Sequence, residues 1–425
     1  MNRVGRGSTP RILAWAFYDF ANSSFAAIVV TFVFATYFTK GIVGDEIRGT
    51  GLWSWAVTAS SLIVALVSPA LGAIADRSGH RRRWLIASTV LAVWGTVMLA
   101  RAEPGMIRYA WVWFVLANIG FELGIVFCNA YLPALAPANR VGRISGYAWG
   151  LGYVGGVLSL AVALAGFILP DEPWFGVTKD GTAHIRATVL LTAIWFAVFS
   201  LPALVMLRDP PRASPRGGLA DAYRQLVHTF HEVRRYREIA KLLLARLIYN
   251  DGLVTAFAFG GIYAQGTFGF DLNEIMIFGL VLNVSAGVGA FLLASVDDRI
   301  GGKRTIQLSL AGLVVAALLA VFSPNKAWFW FSGVLVGLFV GPNQAASRSL
   351  MARFVPAEQE NEFFGFYAFS GKATAFLGPW LLGVLTLQFG SQRVGMAVVL
   401  AFFLIGAALL HTVDEAAGIR AREAG

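Results

Sequence analysis

Long apolar runs, separated by short clusters of charge, glycine and proline, recur along the whole chain. Runs such as 52–75, 187–207 and 396–410 with its flanks approach the roughly 20 residues that a helix needs to cross a bilayer. Splitting the chain at the polar clusters predicts twelve spanning helices. These predicted spans are 12–39, 50–75, 84–100, 108–132, 144–168, 187–207, 239–265, 273–296, 305–322, 327–352, 362–388 and 394–413.

The composition excludes an ordinary water-soluble protein. Of the 425 residues, 57% are hydrophobic and 14% are charged, whereas soluble domains are about 25% charged. The net charge of +10 would indicate nucleic acid only as a basic face on a soluble fold. Here the basic residues stand between apolar runs, so we expect a lipid bilayer as the partner and no nucleic acid.

The distribution of Lys and Arg tests the division of the chain into twelve spans, because cytoplasmic loops of membrane proteins carry an excess of both residues. With the N-terminus inside, 23 of the 34 Lys and Arg residues fall on inside segments and 8 on outside segments. A misplaced helix would have scrambled this alternation. We therefore expect a multi-pass protein of a bacterial inner (plasma) membrane with both termini in the cytoplasm. The segment after residues 1–11 is predicted to be a retained helix and not a cleaved signal.

The stretch 208–238 interrupts the apolar pattern with prolines and basic residues, and it divides the chain into 1–207 and 239–425. We predict a cytoplasmic amphipathic linker there, with a surface helix at 219–236.

An internal repeat relates the two parts of the chain. The loop from Asp76 to Arg82 is echoed 222 residues later by the loop from Asp298 to Arg304. Repeats half a chain apart, each with six spans, predict an all-α membrane protein of twelve transmembrane helices. Its two six-helix halves are then related by a pseudo-twofold axis along the membrane normal, with the substrate site between them.

The first of these loops resembles a known signature. Its pattern, Gly72-x-x-x-Asp76-Arg77-x-Gly79-x-Arg81-Arg82, is similar to the one that major facilitator proteins carry between helices 2 and 3. The strings at 15–23, 249–252 and 343–349 resemble the branch typified by the fungal vacuolar amino-acid effluxer of autophagy. The resemblance implies a major facilitator fold, alternating access and export of amino acids from a compartment or cell.

Ionisable side chains inside predicted spans are candidates for function, because each costs about 2.5–3.5 kcal/mol to insert. Trp15, Asp19 and Asn22 share one face of predicted span 1. The resemblance implies that spans 1, 4, 7 and 10 line the cavity. We predict substrate binding by Trp15, Asp19, Asn22, Glu122, Arg246, Tyr249, Asn250, Gln344 and Arg348.

The arginines suit an anionic group of the substrate, because a guanidinium binds such a group bidentately. We expect Arg246 or Arg348 to do so, or to reach a carboxylate on a neighbouring helix. Asp19, Glu122 or Asp251 would carry a coupling proton, in preference to sodium, because buried carboxylates can titrate. The alternative is that these charges form ion pairs that only hold helices in register.

Lys372 is assigned to that structural role, because on a straight helix it lies about 200° from Ser370. For the loops, the resemblance implies gating by Asp76 and Arg77 and, in the second copy, by Asp298 and Arg299. The alternative for the neighbouring arginines is that they only set the topology.

The remaining chemistry is sparse. Cys128 is the single cysteine and the five histidines are scattered, so we expect no metal site, no cofactor and no catalytic residue. Gly150 to Gly155 fits a dinucleotide-binding pattern but has no preceding strand.

We therefore predict a secondary active transporter, acting as a monomer, for a small solute such as an amino acid or similar zwitterion. The first alternative is an exporter of amphipathic compounds or lipids. An alternative of another class is a receptor or channel-like module without a transport cycle.

Overall fold

The computed structural model describes residues 8–209, 236–270 and 272–423, and these residues form helices joined by short loops, with no strand among them. The predicted linker helix at 219–236 lies almost wholly outside the described residues. Thirteen helices are labelled here. They are α1 Thr9–Ile42, α2 Glu46–Ser78, α3 Arg81–Leu99, α4 Ile107–Asn129, α5 Val141–Ile168, α6 Ala183–Met206, α7 Arg237–Phe268, α8 Leu272–Ile300, α9 Gly302–Phe322, α10 Lys326–Phe354, α11 Glu360–Ser370 with Leu377–Phe389, α12 Gln392–His411 and α13 Glu415–Glu423.

The first twelve of these helices correspond to the twelve predicted spans. Nine helices of the described residues are long and apolar enough to cross a membrane. The other three predicted spans are also helical but carry interruptions. Three arginines open α3, polar residues fill the second half of α10, and α11 is broken between Ser370 and Leu377. The all-helical membrane fold with twelve spans is therefore confirmed.

Glycines end α2 and α8 at equivalent points of the repeat. Gly79 follows α2 with φ of +66°, and Gly301 follows α8 with φ of +91°. Only glycine adopts such values without strain, so it ends a helix where the chain must turn sharply. The repeated glycine thus gives both loops a tight connection to the next helix.

The two halves, α1–α6 and α7–α12, contact each other along two related pairs, α2 with α11 and α5 with α8. Small residues bring the backbones together. A Cβ on Gly72 would lie 2.3 Å from the carbonyl oxygen of Asn361, and one on Gly146 would lie 2.5 Å from the Cβ of Ala294. These approaches lie near the end of the bundle that also carries α13, which we call the terminus side.

Helices α2 and α11 separate toward the opposite side of the bundle. The first segment of α11, Glu360–Ser370, packs against α2. The second segment, Leu377–Phe389, packs instead against α12 and α7, within its own half. The break in α11 therefore marks the depth at which α2 and α11 part.

Candidate functional site

Asp76, at the end of α2, caps α11 of the other half. Its Oδ2 accepts a hydrogen bond of 2.8 Å from the backbone N–H of Glu362, and its Oδ1 accepts one of 2.7 Å from the side chain of Asn361. The first N–H groups of a helix have no partner within the helix and attract negative charge. The buried carboxylate therefore satisfies α11 from across the interface between the halves.

Arg81, at the start of α3, adds an ion pair beside this cap. Its Nη2 lies 2.6 Å from Oε2 of Glu360, and its Nη1 donates to the carbonyl of Ala130 at 2.7 Å. Arg81 and Glu360 are both buried. We call Asp76, Arg81, Glu360 and the N-terminus of α11 the first junction, and its ion pair joins one half to the other.

Asp298, in the last turn of α8, builds the same cap on α5. Oδ1 of Asp298 accepts from the backbone N–H of Gly142 at 2.8 Å, and Oδ2 accepts from that of Arg143 at 3.1 Å. The neighbouring carboxylate, Asp297, lies 2.9 Å from Nη2 of Arg353 on α10. We call Asp297, Asp298, Arg353 and the N-terminus of α5 the second junction.

Arg353 also fixes the last helix, α13. Its Nη1 lies 3.0 Å from Oε1 of Glu415. The Glu415 carboxylate accepts hydrogen bonds of 3.0 Å from the backbone N–H groups of both Gly302 and Lys303. Glu415 therefore caps α9 and ties α13 to the second junction.

Of the four predicted gating residues, two lie at these junctions and one lies at the surface. The structure places Asp76 and Asp298 at the two helix caps. Arg81, and not the predicted Arg77, supplies the ion pair to Glu360. Arg299 is exposed, and Arg353 is the arginine that approaches Asp298, at 3.6 Å. Sequence reasoning missed Glu360, Asp297, Arg353 and Glu415, because charges at span ends look like topology signals.

Arg348, on α10 of the second half, lies in the interior and binds groups of the first half. Its Nη1 lies 2.7 Å from Oδ2 of Asp19 on α1 and donates to Oδ1 of Asn129 on α4 at 3.1 Å. Its Nε and Nη2 donate to the hydroxyl and carbonyl oxygens of Ser145 on α5, at 3.0 and 2.9 Å. We call these four residues the central clamp.

The central clamp leaves Arg348 little capacity for a ligand. Its side chain is 3% exposed, and each of its three nitrogens already donates. Its guanidinium lies 4.8 Å from the ring centre of Trp15, whose Nε1 donates to the carbonyl of Cys128 at 2.8 Å. Asn22 is buried near by on α1. Arg348, Asp19 and Trp15 therefore form a closed connection between α1 and α10.

A second polar cluster surrounds the break in α11. Residues 371–376 form turns instead of α-helix. Arg246 on α7 donates through Nη1 to the carbonyl of Tyr367 at 2.7 Å and to the hydroxyl of Ser370 at 2.9 Å. Its guanidinium lies 3.7 Å from the centre of the Tyr367 ring. None of the ion pairs among the described residues includes Arg246.

Glu122 and Lys372 pair across the halves at the same break. Lys372 Nζ lies 2.6 Å from Oε1 of Glu122, and both side chains are 19% exposed. The angle of about 200° between Lys372 and Ser370, from which a structural role was predicted for Lys372, assumed a straight helix. Because α11 is broken directly before it, Lys372 instead faces α4.

The other predicted residues on α7 and α10 surround this cluster. Asn250 donates to the carbonyl of Gly371 at 2.9 Å, and Gln344 donates to Oδ1 of Asn250 at 3.1 Å. Tyr249 is fully buried, with its hydroxyl 2.8 Å from that of Ser347. Asp251 is 1% exposed, and its Oδ2 has no hydrogen-bond partner among the described residues.

The fold and this charged interior define the class of protein. The solved structure of the MFS (major facilitator superfamily) proton:xylose symporter XylE matches with a TM-score of 0.75, over 98% of both chains at 14% identity. The MFS transporter FucP in its outward conformation gives 0.72, over 95% of this chain and 98% of FucP at 11% identity. The chain has the major facilitator fold.

The sequence then defines the family. The profile of the family described as "Vacuole effluxer Atg22 like" matches residues 41–423, so the chain belongs to that family. The uncharacterized MFS-type transporter YxiO of Bacillus subtilis is 26% identical over 95% of this chain and 94% of YxiO. Autophagy-related protein 22-1 of Aspergillus fumigatus is 21% identical over 89% of this chain and 77% of that protein. The predicted resemblance is confirmed at the level of family.

Proposed function

We propose that the protein moves a small zwitterion, such as an amino acid, by alternating access and couples this movement to protons. It works as a monomer in the inner membrane of a bacterium, with the terminus side in the cytoplasm. The bacterial relative YxiO supports the choice of membrane. The excess of Lys and Arg on the terminus side supports the orientation. The word "effluxer" in the family description supports export.

The central clamp is the observation that carries the proposal. Arg348 of one half holds Asp19 of the other half at 2.7 Å, with the Arg348 side chain 3% exposed and that of Asp19 15% exposed. When the terminus side opens, the halves move apart and Asp19 loses its cation. A carboxylate left alone in an apolar interior is neutralised by a proton, so opening and proton uptake become one event.

The two junctions make the terminus side the closed side of this structure. Asp76 and Asp298 each cap a helix of the opposite half, so opening must break both caps. We propose that these caps hold the outward-facing state, and that their release admits the substrate from the cytoplasm.

The test is transport by purified protein in vesicles with an imposed pH gradient. We expect Asp19→Asn to abolish uphill accumulation of labelled amino acids, because the amide cannot carry the proton. Counterflow at equal pH should remain, because it needs substrate exchange alone. Uphill transport by the variant at the wild-type rate would assign Asp19 a structural role.

The same assay distinguishes the alternatives. Counterflow of an amphipathic compound or a lipid, without counterflow of any amino acid, would favour the exporter of amphipathic compounds. The absence of counterflow for every solute would favour a receptor or channel-like module.

A further inference from the structure

The break in α11 exposes backbone groups in the interior of the membrane protein. The carbonyls of Tyr367 and Gly371 accept hydrogen bonds from Arg246 and Asn250 of α7. Irregular backbone at membrane depth is tolerated where it is buried in protein or lines a cavity, and broken helices recur at substrate sites of transporters. The side chains around residues 371–376 are therefore the first place to look for a ligand.

In the part of the chain that the structure describes, Arg246 has no carboxylate partner at the break, because the buried Asp251 carboxylate of the same helix bonds instead to Thr374. Arg246 is 7% exposed, and its contacts are a carbonyl, a hydroxyl and an aromatic ring. Its Nε has no hydrogen-bond partner among the described residues. A buried cation without a carboxylate is costly, so this guanidinium is prepared for an anionic group from outside the chain.

A second cation lies beside it. A Cβ on Gly371 would lie 2.8 Å from Nη1 of Arg246, and the next residue is Lys372. Lys372 is bound to Glu122, but this pair is partly open, with 19% of each side chain exposed. The Arg348 side chain, at 3%, is closed by comparison. The break thus presents two cations and one carboxylate that an incoming molecule can reach.

We propose that this break is the binding site for the α-amino and α-carboxyl groups of an amino acid, an inference that rests on the transport function proposed above. The substrate carboxylate binds Arg246 and Lys372. It displaces Glu122 from Lys372, and Glu122 then binds the substrate ammonium group.

This exchange explains why the cargo is a zwitterion. A simple anion could displace Glu122 from Lys372, but it would leave the Glu122 carboxylate unpaired at membrane depth. A simple cation could bind Glu122, but it would leave both Arg246 and Lys372 without a partner. A molecule with both charged groups on one carbon atom supplies a partner for each charge, because Glu122 and Lys372 lie 2.6 Å apart before it enters.

Thermal unfolding of the purified protein tests the recognition. The twenty standard amino acids are compared with matched analogues that lack either the amino group or the carboxyl group. We expect at least one amino acid to raise the Tm, with both of its analogues binding about thirtyfold more weakly or worse. Equal binding of a one-charge analogue, or no shift with any amino acid, would overturn the proposal.

Three variants locate the site. Arg246→Gln and Lys372→Gln should each weaken the binding amino acid by about thirtyfold, whereas Lys241→Gln should bind it as the wild type does. Lys241 is the matched control, because it is on α7 but pairs with Glu238 near the start of that helix. Wild-type affinity in Arg246→Gln or Lys372→Gln would refute the assignment.

The exchanged pair, Glu122→Lys with Lys372→Glu, separates binding from structure. It restores the ion pair between α4 and α11, so the Tm without ligand should stay near that of the wild type. It places a carboxylate beside Arg246, so amino-acid binding should be lost. Retained binding would show that Glu122 and Lys372 only hold the helices together.

Binding and transport fail separately in these experiments. Amino-acid binding without any counterflow would contradict the proposed transport cycle and leave the site standing. Counterflow of other solutes without any amino-acid binding would overturn the site and leave the transport cycle standing.

Discussion

The first and second junctions use the same helix cap but place their ion pairs differently. In each, an aspartate near the end of α2 or α8 caps the N-terminus of a helix in the other half. At the first junction, Arg81 also pairs with Glu360 across the halves. At the second, Arg353 pairs with Asp297 and Glu415, which belong to its own half.

This difference indicates how one repeated motif has acquired two tasks. The first junction joins the halves through both a cap and a buried ion pair, so it should dominate the closure of the terminus side. The second joins them through its cap and through the partly exposed Arg143, whose Nε lies 3.7 Å from Oδ2 of Asp298, while Arg353 fastens α13 to the bundle. Substitutions of the two arginines, Arg81 and Arg353, should therefore affect different measurements.

The largest expected effect is that of Arg81→Gln. It leaves Glu360 buried without its cation, which costs about 3–5 kcal/mol, and the cost falls on the closed state because the pair joins the halves. Spin labels at Arg83 and Arg304, which are exposed on different halves, should report longer distances. Cys128 is buried and is the single cysteine, so replacing it gives a clean background.

Arg353→Gln is the matched comparison for that variant. It leaves Asp297 without its cation inside one half, so the Tm should fall, while the distance between the labels at Arg83 and Arg304 should change little. A similar lengthening in both variants would remove the distinction between the junctions.

The aspartate caps should give smaller effects. Asp76→Asn and Asp298→Asn keep the shape of the side chain but remove the negative charge that stabilises a helix N-terminus. Each substitution should destabilise the closed state by about 0.5–2 kcal/mol. Both should increase the open population measured by the same labels, because both caps cross the halves. An effect of Asp76→Asn alone would mean that the second cap is not used for closure.

Glu415→Gln should act on α13 without opening the transporter. The substitution weakens the ion pair with Arg353 and the cap on α9. The docked position of α13 should lose about 1–3 kcal/mol of stability. Hydrogen exchange of 415–423 should become faster, with the label distances unchanged. Lengthened distances would show that α13 also controls closure.

The smallest effect expected is that of pH on the start of α13. The hydrogen bond from the backbone N–H of Ala417 holds the pKa of Asp414 below its usual 3.8. Because the folded-state pKa is the lower one, the cap stabilises α13 above pH 3.8 and loses this contribution as pH falls through the folded-state pKa. Exchange of α13, corrected for intrinsic rates, should accelerate only in that acidic range, and Asp414→Asn should remove the dependence.

Hydrophobic runs predict the spans well because lipid enforces helices of a fixed length. They do not predict the break in α11, since residues 371–376 are apolar enough to continue a helix. The break depends on bonds from Arg246 and Asn250 to freed carbonyls, which are tertiary contacts. Because the break was not predicted, Lys372 was placed on a straight helix and assigned a structural role.

The repeat predicts more of the site than periodicity does. Arg348 and Asn129 lie 219 residues apart, close to the spacing of the repeat, and their side chains meet at 3.1 Å. Asp76 and Asp298 follow from the repeated loop in the same way. Glu360 and Glu415 have no counterpart in the repeat, so nothing in the sequence distinguished them from other charges at helix ends.

The most direct test of alternating access measures both sides of the same protein. One label pair at Arg83 and Arg304 reports the terminus side, and a second at Arg108 and Ala327, which are exposed at the starts of α4 and α10, reports the opposite side. In the Arg81→Gln variant, we predict that the first distance lengthens while the second shortens. Distances that lengthen together, or a second distance that stays fixed while the first lengthens, would contradict a transporter whose halves open one side at a time.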